Sequence, residues 1–274
     1  MAGREVFVHP TASVHAKAKL DAGVWVGPYC AIGEHVTILK NTRLDSHVVV
    51  QGRTEIGADS RFSPFSTIGG EPQDLGYRDE ETQVRIGDRN FFREFITINR
   101  GTIKGGGLTE IGSDNYFMAY VHVGHDCRVG SHITLTNAAT LGGHVSVEDH
   151  VYLSAFCGVH QFCRIGRYAF VGGFSVLTQD VLPFCRVAGM RPIHIFGLNV
   201  IGLRRKGFSN ERIAALKEMF RLFFYSDLNT TQALEKIQSQ FPAGEDRDEI
   251  IKFVQSSKRG IVKKTTDQWE LELA

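Results

Sequence analysis

Between Ile111 and Leu177 every sixth residue is apolar: Ile111, Phe117, Val123, Val129, Leu135, Leu141, Val147, Leu153, Val159, Ile165, Val171 and Leu177. A helix repeats its apolar face about every 3.6 residues and a strand about every 2, so a strict six fits neither alone. It is the signature of a solenoid in which six residues supply one short strand and its corner. The period also runs from Val8 through Val14, Leu20, Val26, Ile32, Ile38, Leu44, Val50, Ile56 and Phe62 to Ile68. It returns in phase at Ile86, Phe92 and Ile98, whereas Ile111 stands one residue out of register. The interruptions, Gly69 to Val84 and Gly101 to Leu108, therefore read as loops thrown out of a continuing coil. The second contains Gly105-Gly106-Gly107, but its spacing fits no P-loop.

Three sixes close a triangular coil of 18 residues, and the chain holds roughly ten such coils. Successive coils pair as parallel strands about 4.8 Å apart. Residues eighteen apart therefore stand over one another.

After Pro183 the period becomes helical. Ser209 is a good N-cap ahead of Ile213, Leu216, Phe220, Phe223 and Phe224, and Thr230 is expected to cap a second helix carrying Leu234, Ile237 and Phe241. Ile250, Ile251 and Val254 mark a third, and Thr265 to Ala274 is expected to fray. The expected organisation is a parallel β-helix over 1–190 and a small all-α domain over 191–274, the latter covering an open solenoid end.

A net charge of +1 argues against general affinity for nucleic acid. There is no signal-peptide or membrane-spanning apolar run, and the five cysteines include no CxxC pair, so a cytoplasmic protein with free thiols and no membrane insertion is expected.

Four histidines fall close together in the second stretch: His122, His125, His144 and His160. The 18-residue stack puts His125, Gly143 and Gln161 in one column and Asp126, His144 and Phe162 in the next. A lone histidine on a repeat protein is usually a hydrogen-bonded surface residue; the clustering is what points to a site. An imidazole titrating near 6.5 is able to take a proton at neutral pH, and an adjacent carboxylate fixes its tautomer. His125 and Asp126 form such a pair if the chain turns between them, and Gly143 leaves a backbone N–H open to a developing oxyanion. Two other classes compete. A trimeric zinc-dependent carbonic anhydrase of hexapeptide type is one, although its His-x4-His pair does not occur here. A non-catalytic scaffold is the other, and it leaves the loops and histidines without a purpose.

Gly124-His125-Asp126-Cys127, Gly142-Gly143-His144-Val145-Ser146-Val147, His160-Gln161-Phe162-Cys163, Gly197-Leu198-Asn199 and Gly202-Leu203-Arg204-Arg205-Lys206-Gly207-Phe208 resemble the acyl-(acyl carrier protein):UDP-N-acetylglucosamine O-acyltransferases of lipid A biosynthesis. The resemblance spans essentially the whole chain. It implies a left-handed parallel β-helix with a C-terminal helical domain, assembled as a homotrimer with sites between subunits. It implies transfer of an R-3-hydroxyacyl group from acyl carrier protein to the glucosamine 3-OH, without a cofactor beyond the carrier's phosphopantetheine. In that reading His125 is the general base, Asp126 orients it and Gly143 N–H binds the oxyanion. His122, His144, His160, Gln161 and Asp74 position substrate. Asn199 and Arg205 hold the nucleotide and its phosphates, and Arg204, Lys206, Arg212 and Lys217 form a basic face for the carrier protein. Gly173 borders the end of the acyl groove, which implies a chain of about fourteen carbons. The chain departs from the pattern at Gly76, where members commonly carry lysine, at Asn99, where they carry histidine, and at Ala155, where they carry glycine. The loss of a loop cation at Gly76 leaves N-acylation of a 3-amino sugar as an alternative.

Overall fold

Short strands, mostly of two residues, recur at the six-residue spacing from Phe7–Val8 to Val176–Leu177. The structure, a computed structural model, describes residues 5–263. The strands assemble into three sheets of eleven, nine and eight members, the faces of a prism visited in turn. The first face begins at Phe7–Val8, the second at Ser13–Val14 and the third at Lys19–Leu20. The second residue of each short strand points inward. Leu44, Phe62, Phe92 and Phe117 stack under the first face, Val50, Ile68, Ile98 and Val123 under the second, and Ile38, Ile56, Ile86 and Ile111 under the third; all are buried. Complete burial of one such side chain contributes about 1.5–3 kcal/mol, delivered here between neighbouring coils.

The corners use left-handed backbone. Positive φ recurs at Phe65, Phe95 and Tyr120 between faces one and two, at Asp126, His144 and Phe162 between two and three, and at Arg89, Asp114 and His132 between three and one. That conformation costs an L-residue about 1–2 kcal/mol and is worst for β-branched side chains. None of the non-glycine residues found in it is β-branched.

The eighteen-residue stack holds except across the two loops. Phe62 pairs with Phe92 and Phe92 with Phe117, offsets of 30 and 25 residues. The first loop thus inserts two whole repeats, which leaves the frame intact, and the second inserts one repeat plus one residue, which produces the slip. Both leave the prism at the same edge. The first joins strand Thr67–Gly70 of face two to Gln83–Ile86 of face three, and the second joins Thr97–Asn99 to Leu108–Ile111 in the same way.

The first sheet runs beyond residue 190, because Cys185–Ala188 pairs antiparallel with His194–Leu198. Among the described residues four α-helices follow: α1 (Val200–Arg205), α2 (Asn210–Phe224), α3 (Thr230–Gln240) and α4 (Glu245–Gln255). Ser209 caps α2 by accepting from Arg212 N–H. The cap of α3 is Asn229 and not Thr230: its side chain accepts from Gln232 N–H while the Gln232 side chain accepts from Asn229 N–H. That reciprocal pair satisfies two donors at once, which a cap one residue later would forgo. The helices dock on the last coils through Arg167, which contacts Glu245, Asp246 and Glu249. Burial among acidic neighbours pushes the Glu249 carboxyl up to about 8, against the attraction of Arg167. Ile261 and Val262, both buried, lie along the final coil, where Asp180 N–H donates to Gly260 and Val262 N–H donates to Asp180. The expected fraying of Thr265 to Ala274 falls outside the described residues. All five cysteines are free and buried.

Candidate active site

The edge between faces two and three, which throws out both loops, also carries His125 and Asp126. Asp126 takes a φ of 60°, and that turn brings its carboxylate back to its neighbour: His125 Nδ1 lies 2.8 Å from Asp126 Oδ2. The contact fixes the tautomer and leaves His125 Nε2 for a substrate proton. Asp126 is itself held. Thr102 donates to it twice, from its N–H to Oδ1 at 2.8 Å and from its hydroxyl to Oδ2 at 2.7 Å, and Asp126 N–H donates to Thr109 Oγ1 at 2.8 Å. The glycine-rich second loop is therefore a cradle, and what it holds is the Asp126 carboxylate. A side chain at Gly105 would run into that carboxylate.

One coil further on, His144 N–H donates to His125 O, and Gly143 lies beneath the His125 ring. A Cβ at residue 143 would lie 2.5 Å from His125 Cε1 and 2.6 Å from Nε2, so only glycine leaves the imidazole its place. Corner geometry leaves the Gly143 N–H without a hydrogen bond among the described residues, so it is open to an acceptor brought to this edge.

The expected columns are present. His144 stacks on Phe162 at 4.4 Å and meets the His125 ring edge-on at 5.0 Å. His144 Nε2 lies 3.7 Å from Asp126 Oδ2, and burial holds its imidazole below the ordinary value against the pull of Asp126 and Asp74. His122 stands beside Thr140 and Gly158 in the second sheet and bonds Thr97 Oγ1 through Nδ1 at 2.8 Å. Burial and the neighbouring His125 lower its affinity for a proton. His160 Nδ1 contacts Gln161 O at 3.1 Å and Arg259 Nη2 at 3.2 Å, which ties the segment after α4 to this edge. From the first loop Asp74 accepts from Gly76 N–H at 2.8 Å, and that bond, with Lys104, His125 and His144 nearby, holds its carboxyl below the usual range. Asn99 donates to Glu71 O, and Arg100 bonds Tyr77 and Gly69 O, pinning the same loop.

His125, Asp126 and His144 are close enough to offer atoms to a metal ion. However, Asp126 Oδ2 already accepts from Thr102 and faces His125 Nδ1, so the donor set is consumed by a hydrogen-bonded pair.

The same geometry has relatives. Residues 180–262 match the family model described as UDP N-acetylglucosamine O-acyltransferase, domain 2. The protein named acyl-(acyl-carrier-protein)–UDP-N-acetylglucosamine O-acyltransferase from Alkalilimnicola ehrlichii is 48% identical over 257 residues, covering 93% of this chain and 99% of its own. This chain belongs to that O-acyltransferase family. The protein of the same name from Thermodesulfovibrio yellowstonii is 44% identical over 254 residues, covering 93% of this chain and 98% of its own. The structure of LpxA from Acinetobacter baumannii superposes with a TM-score of 0.91 at 41% identity, over 94% of this chain and all of that one. The O-acyltransferase fold, a left-handed parallel β-helix with C-terminal helices, is thus shared along nearly the whole length.

Other residues expected from the family pattern lie on another edge or on the C-terminal helices. Gly173 is exposed at the edge between faces one and two, directly over Ala155, whose carbonyl accepts from Phe174 N–H. Asn199 caps α1, accepting from Gly202 N–H and donating to Tyr168 O, and Arg205 is exposed at the end of that helix. Arg204, Lys206 and Lys217 are exposed, whereas Arg212 is engaged within the helical domain, bonding Asp246 at 2.6 and 2.7 Å and lying over Phe208. Among the described helices none is long and apolar enough to cross a membrane. Thr102, Thr109, Lys104 and Arg259 are given no role in the site by the sequence pattern. The one available signal was the glycine loop beside Thr102; the 18-residue rule fails across that loop.

Proposed function

We propose that the chain transfers an R-3-hydroxyacyl group from the phosphopantetheine thioester of acyl carrier protein to the 3-OH of UDP-N-acetylglucosamine, the first step of lipid A biosynthesis, in the cytoplasm. The observation that carries the reading is the Thr102–Asp126–His125 chain of hydrogen bonds, which leaves one imidazole nitrogen free beside Gly143, whose N–H is unpaired among the described residues. His125 Nε2 takes the hydroxyl proton as the sugar oxygen attacks the thioester carbonyl. The oxyanion forms against Gly143 N–H. Its collapse expels the thiolate, which receives the proton back from His125, so neither an acyl-enzyme nor a metal is needed. Asp74, His122, His144, His160 and Gln161 surround the pair and orient the sugar and acyl groups.

Gly173 belongs to another edge of the prism, and Asn199 and Arg205 to the two ends of α1, away from the edge of His125; a homotrimer supplies them to that site from a second copy. An exposed aromatic ladder along the edge of Gly173 supports this. Phe65, Phe95 and Tyr120 stack at 5.2 and 4.9 Å, Phe156 and Phe174 at 5.0 Å, and all are at least 42% exposed in the single chain. Surface rings in such a row mark an interface. Arg204, Lys206 and Lys217 supply the basic face for the acidic carrier protein.

The test is transfer of a labelled 3-hydroxyacyl group to UDP-N-acetylglucosamine and, in parallel, to its 3-amino analogue, with the solution mass measured on the same sample. Turnover of the alcohol by a species of about three 30.5 kDa chains upholds the reading. Turnover of the amine alone would replace it with N-transfer, and an active single chain would remove the trimer.

Acyl length provides a separate check. A Cβ on Gly173 would meet only Ala155 O at 3.4 Å and Ser154 Cβ at 3.9 Å, so a larger side chain fits without disturbing the coil and extends outward into the groove. Gly173→Met is expected to move the preferred donor from about fourteen carbons to a shorter chain by at least tenfold in relative kcat/KM. An unchanged ranking of donors would show that the groove ends elsewhere.

A further inference from the structure

Two loops meet over the His125–Asp126 pair, and their contact is specific. The Lys104 ammonium, from the second loop, lies 3.1 Å from where a Cβ on Gly76 of the first loop would sit, and Asp74 Oδ1 lies 3.3 Å from the same point. Gly76 has no left-handed backbone to explain it. What the glycine provides is space, and the Lys104 headgroup uses that space. The base of Lys104 is fixed by the dyad's own support: Thr102 caps the short helix Ile103–Gly105 and donates twice to Asp126. Lys104 itself is exposed and forms no ion pair within 4.0 Å among the described residues, so its charge is available.

We infer that Lys104 is a substrate-contacting cation of this site, lodged over Gly76 and balancing Asp74 while the oxyanion forms. This rests on the acyl-transfer reading above. The chemistry calls for a cation there. The pocket holds two carboxylates, Asp74 and Asp126, and the reaction adds a third negative charge at the tetrahedral carbon. Each carboxylate raises the free energy of that anion through a partly desolvated medium. Asp126 is offset by two Thr102 donors and by His125. Among the described residues the Asp74 carboxylate accepts only the Gly76 N–H, and Lys104 is the strongest cationic influence on it. A flexible ammonium with three donors is also suited to hydroxyl and carbonyl oxygens of an acyl-accepting sugar. The glycine at 76 and the lysine at 104 thus form one device: a cation delivered from the opposite loop, in the volume that a side chain at 76 would fill.

The test is a four-way cycle in the transfer assay, with melting temperatures recorded. Lys104→Gln is expected to lower kcat/KM at least tenfold with melting unchanged, and Lys104→Arg to retain a third or more of wild-type activity. Gly76→Lys alone brings a second cation into an occupied space and is expected to lose several-fold. Combined with Lys104→Gln it is expected to recover most of what Lys104→Gln lost, because one cation again occupies the volume. Lys104→Gln within twofold of wild type, or a double variant no better than Lys104→Gln, would overturn the inference. An inactive wild type would instead overturn the acyl-transfer reading, so the two failures are distinguishable.

Discussion

His125→Ala is expected to lower kcat for acyl transfer by about 100- to 10,000-fold while KM for the nucleotide sugar stays within a few-fold. The size follows from the role, since a positioned general base contributes about that factor. The split between the constants follows from the geometry. The ring's hydrogen bond runs to Asp126, and its other nitrogen faces the site, so truncation removes a proton acceptor needed in the transition state and leaves the sugar's other partners in place. Folding should be nearly unaffected. The His125 side chain is 13% exposed, and Asp126 keeps both Thr102 donors when the imidazole goes. The check is steady-state kinetics with thermal melting on the same preparation. A variant with more than a tenth of wild-type kcat would remove His125 from the chemistry, and a collapse of melting temperature would show that the ring holds the corner together.

How much of this was legible in the sequence depends on whether the governing rule was local. Six-residue periodicity is local, and it placed the three faces, the buried stacks and the His125–Gly143–Gln161 and Asp126–His144–Phe162 columns. Each repeat sees the same neighbours one coil above and below, so one offset reads the whole stretch. The loops break that offset. The 30- and 25-residue pairings of Phe62, Phe92 and Phe117 depend on the length of inserted chain, which periodicity alone does not report. Thr102 lies 24 residues from Asp126, a spacing no repeat rule selects, and its two hydrogen bonds became visible only in three dimensions. The same limit hid what Lys104 faces, because its partner position, Gly76, belongs to the other loop. The cap of α3 was missed for a smaller reason: Asn229 and Thr230 are adjacent and both able to cap, and Gln232, three residues after Asn229, decides between them.

Gly143→Ala carries the second large effect, and it separates two roles at one position. Alanine retains the backbone N–H, so the oxyanion donor survives. What changes is the space beneath His125, where the new methyl would fall 2.5 Å from Cε1, 2.6 Å from Nε2 and 3.1 Å from Nδ1. Separations under about 3 Å are not tolerated by close-packed atoms, and the atoms that must yield belong to a side chain, not to the backbone. The coil therefore keeps its fold while the imidazole swings away, and the 2.8 Å bond to Asp126 stretches or breaks. A base displaced by about 1 Å costs on the order of 100-fold, so kcat is expected to fall by about that factor with little change in melting temperature. The decisive measurement is the double variant. If the alanine acts through the ring, Gly143→Ala adds almost nothing once His125 is already alanine, because both changes remove one function. If the losses multiply instead, residue 143 works independently of the base, and the oxyanion contact itself has been disturbed. Equal rates in His125→Ala and in the double variant would fix the order of dependence: the glycine serves the histidine, and the histidine serves the reaction.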